Sequence, residues 1–450
     1  MDFKYIHRAL FWCKKLETPM RTILTVLLMT LATQVVAERK TNFESIALSS
    51  SDASTDNSRV TQLDNSIIFE EIFVPFEQKA NEPSITSHKG SLYMSWMEHS
   101  EETSKVMFSI LSSGIWSEPR TVYSGRDLFV NWADYPSIAV LEDGTIALHW
   151  LRKFKPSTFD YKIQVSLSQD GGQSWTAPIT PHEDLSITQH GFVSIYPNSS
   201  DTFSLIWLDG RTYGNKVGKN NPNNDKMQLR ATTLSREGQL SEDVAVDLNT
   251  CSCCQTSLSK TKKGTIVAAY RDRTTEEIRD ISIVRLTSSG WEKPISVNQD
   301  GWEIAGCPVN GPSISSNNGI LAVVWFTGAN DIPAIKVAFS DDDGREFDNP
   351  IRIDLGNPLG RVDLEILNDE TALASWVEWV EDDEVLILCS ISRKEGCMLK
   401  QKLTINPTNE SINFPKIEIV NDYLYAAWTR PTKHGDTIAM VRTEINKFSR

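Results

Sequence analysis

The sequence lacks two features that would point to common partners. Basic residues are in deficit, because 45 Lys and Arg stand against 59 Asp and Glu for a net charge of -14. A surface of that sign does not attract a phosphate backbone or an anionic lipid surface. Long apolar runs are also scarce, since the apolar segment Thr22–Leu31 is shorter than the roughly 20 residues typical of a spanning helix. Nucleic acid and anionic membranes are therefore excluded as expected partners.

The N-terminal segment has the pattern of a targeting signal. Arg21, the apolar segment Thr22–Leu31 and the small-residue site Val35-Val36-Ala37 follow the order of a signal peptide. The pattern predicts a signal peptide over residues 1–37, with Met20 as an alternative start and a retained membrane anchor as the alternative interpretation. No cysteine stands at the cleavage point, which argues against a lipoprotein. We expect a secreted or periplasmic protein, without stable membrane insertion after cleavage, and a disordered linker over residues 38–65, which are rich in Ser, Asp and Asn.

An aromatic residue recurs at the end of an apolar run about every 50 to 60 residues. The series is Trp96, Trp150, Trp207, Tyr270, Trp325, Trp376 and Trp428. Each run is bounded by turn residues, and further alternating segments precede and follow it. Four antiparallel strands per unit are typical of a propeller blade, so we predict one all-β propeller domain over residues 66–450.

A second repeated signal follows the third strand of several units. Residues 168–175 and 340–347 both fit Ser-x-Asp-x-Gly-x-x-aromatic. In such a turn the Asp carboxylate accepts hydrogen bonds from the backbone, Gly supplies a positive φ and the aromatic ring packs between strands. Weaker copies lie at 112–116 and 288–291. Ordinary Asp-Gly hairpins are the alternative interpretation.

These segments resemble the Asp boxes of the sialidase superfamily, and the resemblance extends from about Ile67 to the end of the chain. A group of bacterial proteins described as sialidase-like is similar in further stretches, which are 129–134, 190–194, 207–211, 251–254, 270–273 and 306–312. Typical sialidases have six blades, whereas this chain shows seven second-strand runs. Because the last unit lacks a fourth strand, we predict that residues 67–73 supply it and close a seven-bladed ring, with six blades as the alternative. Such closure removes exposed sheet edges, and we expect a monomer.

Four cysteines fall at equivalent places in neighbouring blades. Cys251, Cys253 and Cys254 precede the first strand of blade four, and Cys307 precedes that of blade five. Four thiols within reach of one another suit a tetrahedral zinc site or one or two disulfides. No other cofactor is expected. Cys389 and Cys397 lie on successive strands of blade six, which predicts a hairpin crosslink.

Propeller topology predicts where a ligand would bind. If the Asp boxes join third to fourth strands on one face, loops that enter first strands and loops that leave second strands share the other face, where loops on a rigid ring surround a funnel. The polar residues predicted there include Asn131, Asp134, His190, Asp209, Arg211, Arg271, Arg273, Asn310 and Arg361. His149 ends the second strand of blade two, next to the blade that His190 begins. The long polar loop Thr212–Asp225 is expected to shape the rim of this funnel.

Two kinds of chemistry fit these residues. Arg211, Arg271 and Arg273 could clamp the carboxylate of a sialic or uronic acid, although a solvated salt-bridge network explains the arginines of blade four equally well. Asn131, Asp209, Asn310 and Arg361 are further candidates for substrate contacts. His190 or Asp134 could act as the acid or base of a hydrolase, and His149 with His190 could serve proton abstraction in a uronate lyase. A buried structural role is the alternative for His149.

The resemblance to sialidases implies three arginines, a tyrosine nucleophile paired with glutamate, and an aspartate acid/base. This chain departs from that pattern, because Asn81-Glu82-Pro83 stands where the family has an early Arg-Ile-Pro. Three hypotheses remain. The chain is an enzyme acting on an acidic glycan, a non-catalytic propeller that binds glycan or protein, or a protein with a structural metal at its cysteines.

Overall fold

The structure, a computed structural model, describes residues 67–154, 159–212, 226–381, 383–403 and 412–448. The predicted signal peptide, the predicted linker and most of the loop Thr212–Asp225 lie outside the described residues. The described chain forms seven antiparallel sheets and, apart from the short 3₁₀ turns Ala329–Asp331 and Ile445–Phe448, is β structure and loop. None of its helical segments is long or apolar enough to cross a bilayer.

The sheets follow one another along the chain as blades. Blade one contains β2 (Lys79–His88), β3 (Ser91–His99), β4 (Ser104–Ser112), β5 (Ile115–Trp116) and β6 (Arg120–Gly125). Blade two contains β7 (Ile138–Val140), β8 (Ile146–Lys153) and β9 (Tyr161–Ser168), with an isolated bridge from Val165 to Ile179 in the fourth position. Blade three contains β10 (His190–Pro197), β11 (Thr202–Asp209), β12 (Met227–Ser235) and β13 (Val244–Thr250).

The remaining blades repeat the pattern. Blade four contains β14 (Ser257–Lys260), β15 (Ile266–Arg271), β16 (Ile281–Thr287), β17 (Gly290–Trp291) and β18 (Ile295–Ser296). Blade five contains β19 (Ser313–Asn317), β20 (Ile320–Thr327), β21 (Ala334–Ser340) and β22 (Ile351–Arg352). Blade six contains β23 (Pro358–Asn368), β24 (Thr371–Val380), β25 (Asp383–Ser392) and β26 (Gly396–Leu403).

Blade seven is built from both ends of the described chain. Strands β27 (Lys416–Val420), β28 (Tyr423–Arg430) and β29 (Thr437–Glu444) come from the C-terminal part, and β1 (Glu70–Glu71) pairs with β29. Glu70 lies opposite Arg442 in this register, and their side chains form an ion pair. The predicted closure is confirmed, and the six-bladed alternative is wrong because seven complete units fit the ring.

The recurring aromatic residues explain the repeat. All seven lie on the second strand of a blade and are buried. In three blades the indole N–H donates to the carboxylate two residues further on, at 3.0 Å for Trp96 to Glu98, 2.8 Å for Trp207 to Asp209 and 2.6 Å for Trp376 to Glu378. Buried indole N–H groups usually find such an acceptor, although that of Trp150 has none among the described residues. Seven apolar clusters of described residues, one between each pair of adjacent blades, form the core.

The two Ser-x-Asp-x-Gly turns have the hydrogen bonds that their sequence predicts. Asp170 accepts from the backbone N–H of Ser174 at 2.9 Å, and Asp342 accepts from that of Arg345 at 2.9 Å. The ring of Trp175 packs edge-on against Phe108 of blade one at 5.3 Å between centroids. These turns follow third strands, so loops that leave second strands and loops that enter first strands lie on the opposite face, as predicted. We call that opposite face the loop face.

Candidate functional site

The centre of the loop face is marked by contacts between blades that are not neighbours. Trp132, in the loop entering blade two, stacks on Phe414, which enters blade seven, at 5.7 Å between centroids. The guanidinium carbon of Arg361, from blade six, lies 5.5 Å from the Trp132 ring centroid. Side chains from blades two, six and seven can meet only near the ring axis. We call Trp132, Arg361 and Phe414, together with Glu82 and Asn413 described below, the axial mouth.

Trp132 is unusual among the tryptophans because 41% of it is exposed. Its indole is held from below by Phe414, which is buried, and by the guanidinium of Arg361. Arg361 in turn donates to Glu384 at 3.1 Å and to the carbonyl of Ile412. Burial lowers the pKa of Arg361, and the charge of Glu384 opposes that shift. The result is a partly exposed indole in contact with a buried aromatic ring and a partly desolvated cation.

Bulges in the first strands direct residues toward the axis. Glu82, Phe192 and Arg361 have positive φ angles of 54°, 54° and 58°, and each lies at a register shift between a first and a second strand. Bulges of this kind re-aim side chains and are common beside functional sites. In the sequence Glu82 stood out only as a missing arginine. Its position beside Pro83, equivalent to that of Arg361, is the signal that would have identified it.

Glu82 is a buried carboxyl at the axial mouth. Its Oε1 accepts from Nδ2 of Asn413 at 3.1 Å, and its backbone N–H donates to Thr429 at 3.0 Å. Burial, and then the nearby charge of Asp436, raise the pKa of Glu82 to about 8, against a smaller lowering effect of Asn413. The carboxyl is therefore protonated at neutral pH and can donate a proton.

Asp134, two residues after Trp132, is the second buried carboxyl. It accepts from the backbone N–H of Phe192 at 2.8 Å and from the hydroxyl of Tyr161 at 3.2 Å. Burial raises the pKa of Asp134 to about 7, although both hydrogen bonds oppose the shift. Gly191 leaves room for it, because a Cβ there would lie 2.1 Å from Asp134 Oδ2. Burial also raises the pKa of Tyr161 well above its ordinary value, which is the wrong direction for a tyrosine nucleophile.

His190 and Asp209 meet between blades two and three. The Nε2 of His190 lies 2.9 Å from Asp184 and 3.8 Å from Asp209, and Nδ1 faces the carbonyl of Tyr161 at 3.3 Å. Burial opposes ionisation of Asp184, but hydrogen bonds from His190 and Ser186 outweigh it and hold the pKa of Asp184 well below its ordinary value. Asp184, His190 and Asp209 bring donor atoms within 4.8 Å of one another, a spacing that could hold a metal ion.

Arg211 links this group to a third aspartate, Asp243. It donates to Asp209 from Nε and Nη2, both at 2.8 Å, and from Nη2 to Asp243 at 2.6 Å. Burial opposes the charge of Arg211, but both carboxylates outweigh it and raise its pKa. The Asp209 carboxylate also accepts from Trp207, as Glu98 and Glu378 do from the tryptophans of their blades. Part of its role is therefore structural.

The histidines divide into two environments. His149 is fully buried, accepts from the backbone N–H of Ser137 at 2.9 Å through Nδ1, and has no partner for Nε2 among the described residues. Burial lowers the pKa of His149 to about 3, so it is a neutral core histidine here. His182 stacks on His190 at 4.0 Å, and burial, then the charge of His190, lower its pKa to about 4. The ring partner of His190 is thus His182, whereas His149 faces Ser137 within blade two.

The arginines of blade four are engaged with protein groups. Arg271 is buried and donates from Nε, Nη1 and Nη2 to the carbonyls of Asn310, Arg279 and Phe326 at 2.8, 2.6 and 2.7 Å. Arg273 pairs with Glu277 at 2.5 Å, and Arg279 pairs with the same carboxylate at 2.8 Å. Asn310 supports Arg361 by accepting from its backbone N–H at 2.9 Å, and Asn131 accepts from that of Ala133 at 2.9 Å.

The cysteines form two different pairs on the loop face. Cys253 and Cys307 are joined in a disulfide between the loops of blades four and five. Cys251 and Cys254 are free and buried, with 2.7 Å between their sulfur atoms. Burial raises the pKa of Cys251, but the hydrogen bond from Cys254 and the charges of Arg271 and Arg279 outweigh it and lower that pKa to about 6. The disulfide removes two thiols from the predicted four-cysteine zinc site. The hairpin crosslink Cys389–Cys397 is confirmed.

Beneath the mouth, first strands line a central cavity of about 350 Å³. Lys416 lies 3.8 Å from Asp363, and Glu365 and Glu418 line the same cavity. Burial, then the neighbouring carboxylates, raise the pKa of Glu365 well above its ordinary value. Burial also raises the pKa of Glu418 to about 8, against a hydrogen bond from Ser87.

Comparison with known proteins finds similarity among solved structures. No protein-family model and no curated protein matches the sequence. Among solved structures, a protein of unknown function from Dyadobacter fermentans matches with a TM-score of 0.48 and 14% identity, over 83% of this chain and 98% of that one. Trypanosoma rangeli sialidase matches with 0.46 and 10%, over 86% and 61%. The polysaccharide lyase Uly1 matches with 0.48 and 10%, over 87% and 95%. At these values the fold assignment rests on the sheet topology.

Proposed function

We propose that this protein is a secreted propeller that acts on an acidic glycan at the axial mouth. The observation that carries the proposal is Trp132, an exposed indole on the axis that rests on Arg361 and Phe414. An aromatic face binds the C–H face of a sugar ring, and rigid aromatic anchors beside a few polar groups are characteristic of ligand sites on concave surfaces. The predicted signal peptide and the two disulfides support an extracellular location.

Acidic substrates are favoured by one cation at the mouth and by two others on the loop face. Arg361 lies directly beneath Trp132, and Arg211 and Arg273 retain partial exposure of 21% and 20% on the same face. Each already pairs with a carboxylate, so a substrate carboxylate would share or displace that partner. Guanidinium groups do this well because their donors are arranged for two parallel hydrogen bonds.

The carboxyls with raised pKa values supply the chemistry. Glu82, with a pKa of about 8, would protonate a leaving oxygen in glycoside hydrolysis, and Asp134, with a pKa of about 7, could give or take a proton. Elimination from a uronate needs a base instead, and His190 is the predicted candidate. Hydrolysis has the closer geometric support, because Glu82 contacts Asn413, the neighbour of the Phe414 ring on which Trp132 stacks, whereas the contacts of His190 are with Asp184, Asp209 and Tyr161.

A turnover screen tests the proposal. The protein from about Glu38 onward would be incubated with sialosides and uronate polysaccharides, with readouts of new reducing ends and of absorbance near about 235 nm from unsaturated uronates. Trp132→Ala should lower the ratio kcat/KM at least about tenfold, a loss of about 1.4 kcal/mol of binding. Ile115→Ala is the matched control, because Ile115 is also exposed, at 74%, but follows a turn on the opposite face. Equal turnover of the two variants would sink the assignment of the mouth.

Binding without catalysis is the second candidate. It is favoured by the burial of His149, His190 and Asp134, each of which already contacts protein groups. In that case no substrate is consumed, and Trp132→Ala weakens glycan binding measured by calorimetry while Ile115→Ala does not. If neither new reducing ends nor the absorbance of unsaturated uronates appear while glycan binding is retained, the result would favour this candidate.

A further inference from the structure

Four cysteines form a compact cluster beside the axial mouth. Cys251 and Cys254 are buried, whereas Cys307 is exposed. The sulfur of Cys251 lies 2.7 Å from that of Cys254 and 3.9 Å from that of Cys253. A dithiol therefore lies directly against a disulfide, and Cys307 is the most exposed residue of the four.

Positive charge lies beside the buried Cys251. Nη1 of Arg279 donates to the sulfur of Cys251 at 3.6 Å. Arg271 is stacked on Trp302 at 4.8 Å, and among the described residues no ion pair with a carboxylate joins it. Nearby guanidinium groups stabilise a thiolate, which is the nucleophile in disulfide exchange.

We propose that the four cysteines form a thiol–disulfide exchange centre in which one disulfide moves between the outer pair, Cys253 and Cys307, and the inner pair, Cys251 and Cys254. In the first step the Cys251 thiolate attacks Cys253, so that the Cys251–Cys253 bond forms, the Cys253–Cys307 bond breaks and Cys307 leaves as a thiolate. In the second step the Cys254 thiolate attacks Cys251 and Cys253 leaves. The two protons of the inner thiols end on the outer pair, and no external oxidant is consumed.

The exchange breaks the covalent crosslink between blades four and five. The outer disulfide ties the loop of blade four to that of blade five, and Asn310, three residues after Cys307, binds Arg271 and supports Arg361. When the disulfide moves to the inner pair, only non-covalent contacts remain between the loop of blade five and the loop of blade four. The exposed Cys307 thiol then reacts with the disulfide of a small molecule or of another protein. Disulfides of this class would set the redox state of the centre.

Differential alkylation of the intact protein tests the exchange. Limiting phosphine brings the protein from about Glu38 onward, which lacks Cys13, to two free thiols per chain. This native protein is labelled with light N-ethylmaleimide, and acid then stops exchange. Unfolded protein is labelled with heavy reagent, and tandem mass spectrometry locates each label. The expected result is light label on Cys307 with Cys251 and Cys254 recovered as a disulfide. Heavy label confined to Cys251 and Cys254, with Cys307 unlabelled, would overturn the proposal.

Two controls separate exchange from direct reduction of the outer disulfide by the phosphine. Cys251→Ser removes the nucleophile and should abolish native labelling of Cys307, and the Cys389–Cys397 disulfide should stay unlabelled in every sample. If Cys251→Ser does not fold, the wild-type labelling pattern decides the question alone. One equivalent of zinc that is lost when the thiols are alkylated would also overturn the proposal, because it would make the cluster a metal site.

Discussion

At the residue scale, Gly172 shows how sharply one position is constrained. Its φ is +84°, and a Cβ there would lie 2.2 Å from the ring of Phe108. Gly171, next to it, has φ +70° but open space around a Cβ. We expect Gly172→Ala to reduce the free energy of unfolding by about 3 kcal/mol through strain and overpacking, and Gly171→Ala by about 1 kcal/mol through backbone strain alone. Urea unfolding of both variants checks this, and equal losses would contradict it.

The proposed role of Glu82 as a proton donor can be tested by a single substitution. Glu82→Gln keeps an oxygen acceptor for Asn413 but has no proton to transfer, so turnover should fall by about 10²- to 10⁴-fold while KM changes little. Wild-type turnover should decline as pH rises through about 8, because the protonated carboxyl disappears above its pKa. Steady-state pH profiles measure both effects. Glu98→Gln, in the same blade, is the control and should lower stability rather than kcat. An unchanged kcat in Glu82→Gln would remove Glu82 from the mechanism.

At the element scale, ring closure depends on a strand of two residues and its flanks. Ile67 and Val74 are buried in the cores on either side of blade seven, and the backbone N–H of Ile72 donates to Met440 at 2.8 Å. A chain that starts at residue 76 loses these contacts and leaves the edge of β29 unpaired, which invites association. We expect a loss of about 4 kcal/mol from the buried side chains, together with oligomers.

Thermal unfolding and light scattering measure this prediction, with a chain that starts at residue 66 as the control. The Glu70→Ala variant distinguishes the contribution of the closing strand from that of its exposed ion pair with Arg442. Loss of the ion pair alone should reduce the free energy of unfolding by less than about 1 kcal/mol. A monomeric chain from residue 76 with unchanged unfolding temperature would show that the closing strand is dispensable.

At the scale of the whole molecule, the central cavity makes stability depend on pH. The pKa of Glu418 is about 8 in the fold against an ordinary value of 4.5. The contribution of neutral Glu418 to the free energy of unfolding is fully present below about pH 4.5. It is lost as pH rises through about 8, because the folded protein must then hold an ionised carboxylate in the cavity. Glu418→Gln should therefore leave stability at acidic pH nearly unchanged and raise it by roughly 2 kcal/mol at about pH 9.

Urea midpoints of wild type and Glu418→Gln at the two pH values test this expectation. Glu102→Gln is the control, because that side chain is 80% exposed and lies in an ordinary surface ion pair. Equal effects of the two substitutions at both pH values would show that the carboxylates of the cavity do not govern the pH dependence.

The sequence by itself determined the blade architecture. The aromatic residues, the Ser-x-Asp-x-Gly turns and the apolar segment 67–73 predicted seven blades, the closure by both chain ends and the division into two faces. These signals are local: strand alternation and turn chemistry act over a few residues, and a repeat multiplies each of them. The hairpin crosslink of Cys389 and Cys397 followed for the same reason, because the two adjacent strands of one hairpin bring their Cα atoms within 6.0 Å of each other.

Only the tertiary structure decided which side chains meet at the axis. Trp132, Arg361 and Phe414 come from blades two, six and seven, and Glu82 reaches the same mouth through a bulge in the first strand of blade one. The tertiary structure also assigned partners, since Arg271 binds three carbonyls and Cys253 pairs with Cys307, while Cys251 and Cys254 stay as thiols. Charges and thiols choose partners by distance in space, and residues far apart in the chain become neighbours only when the ring closes.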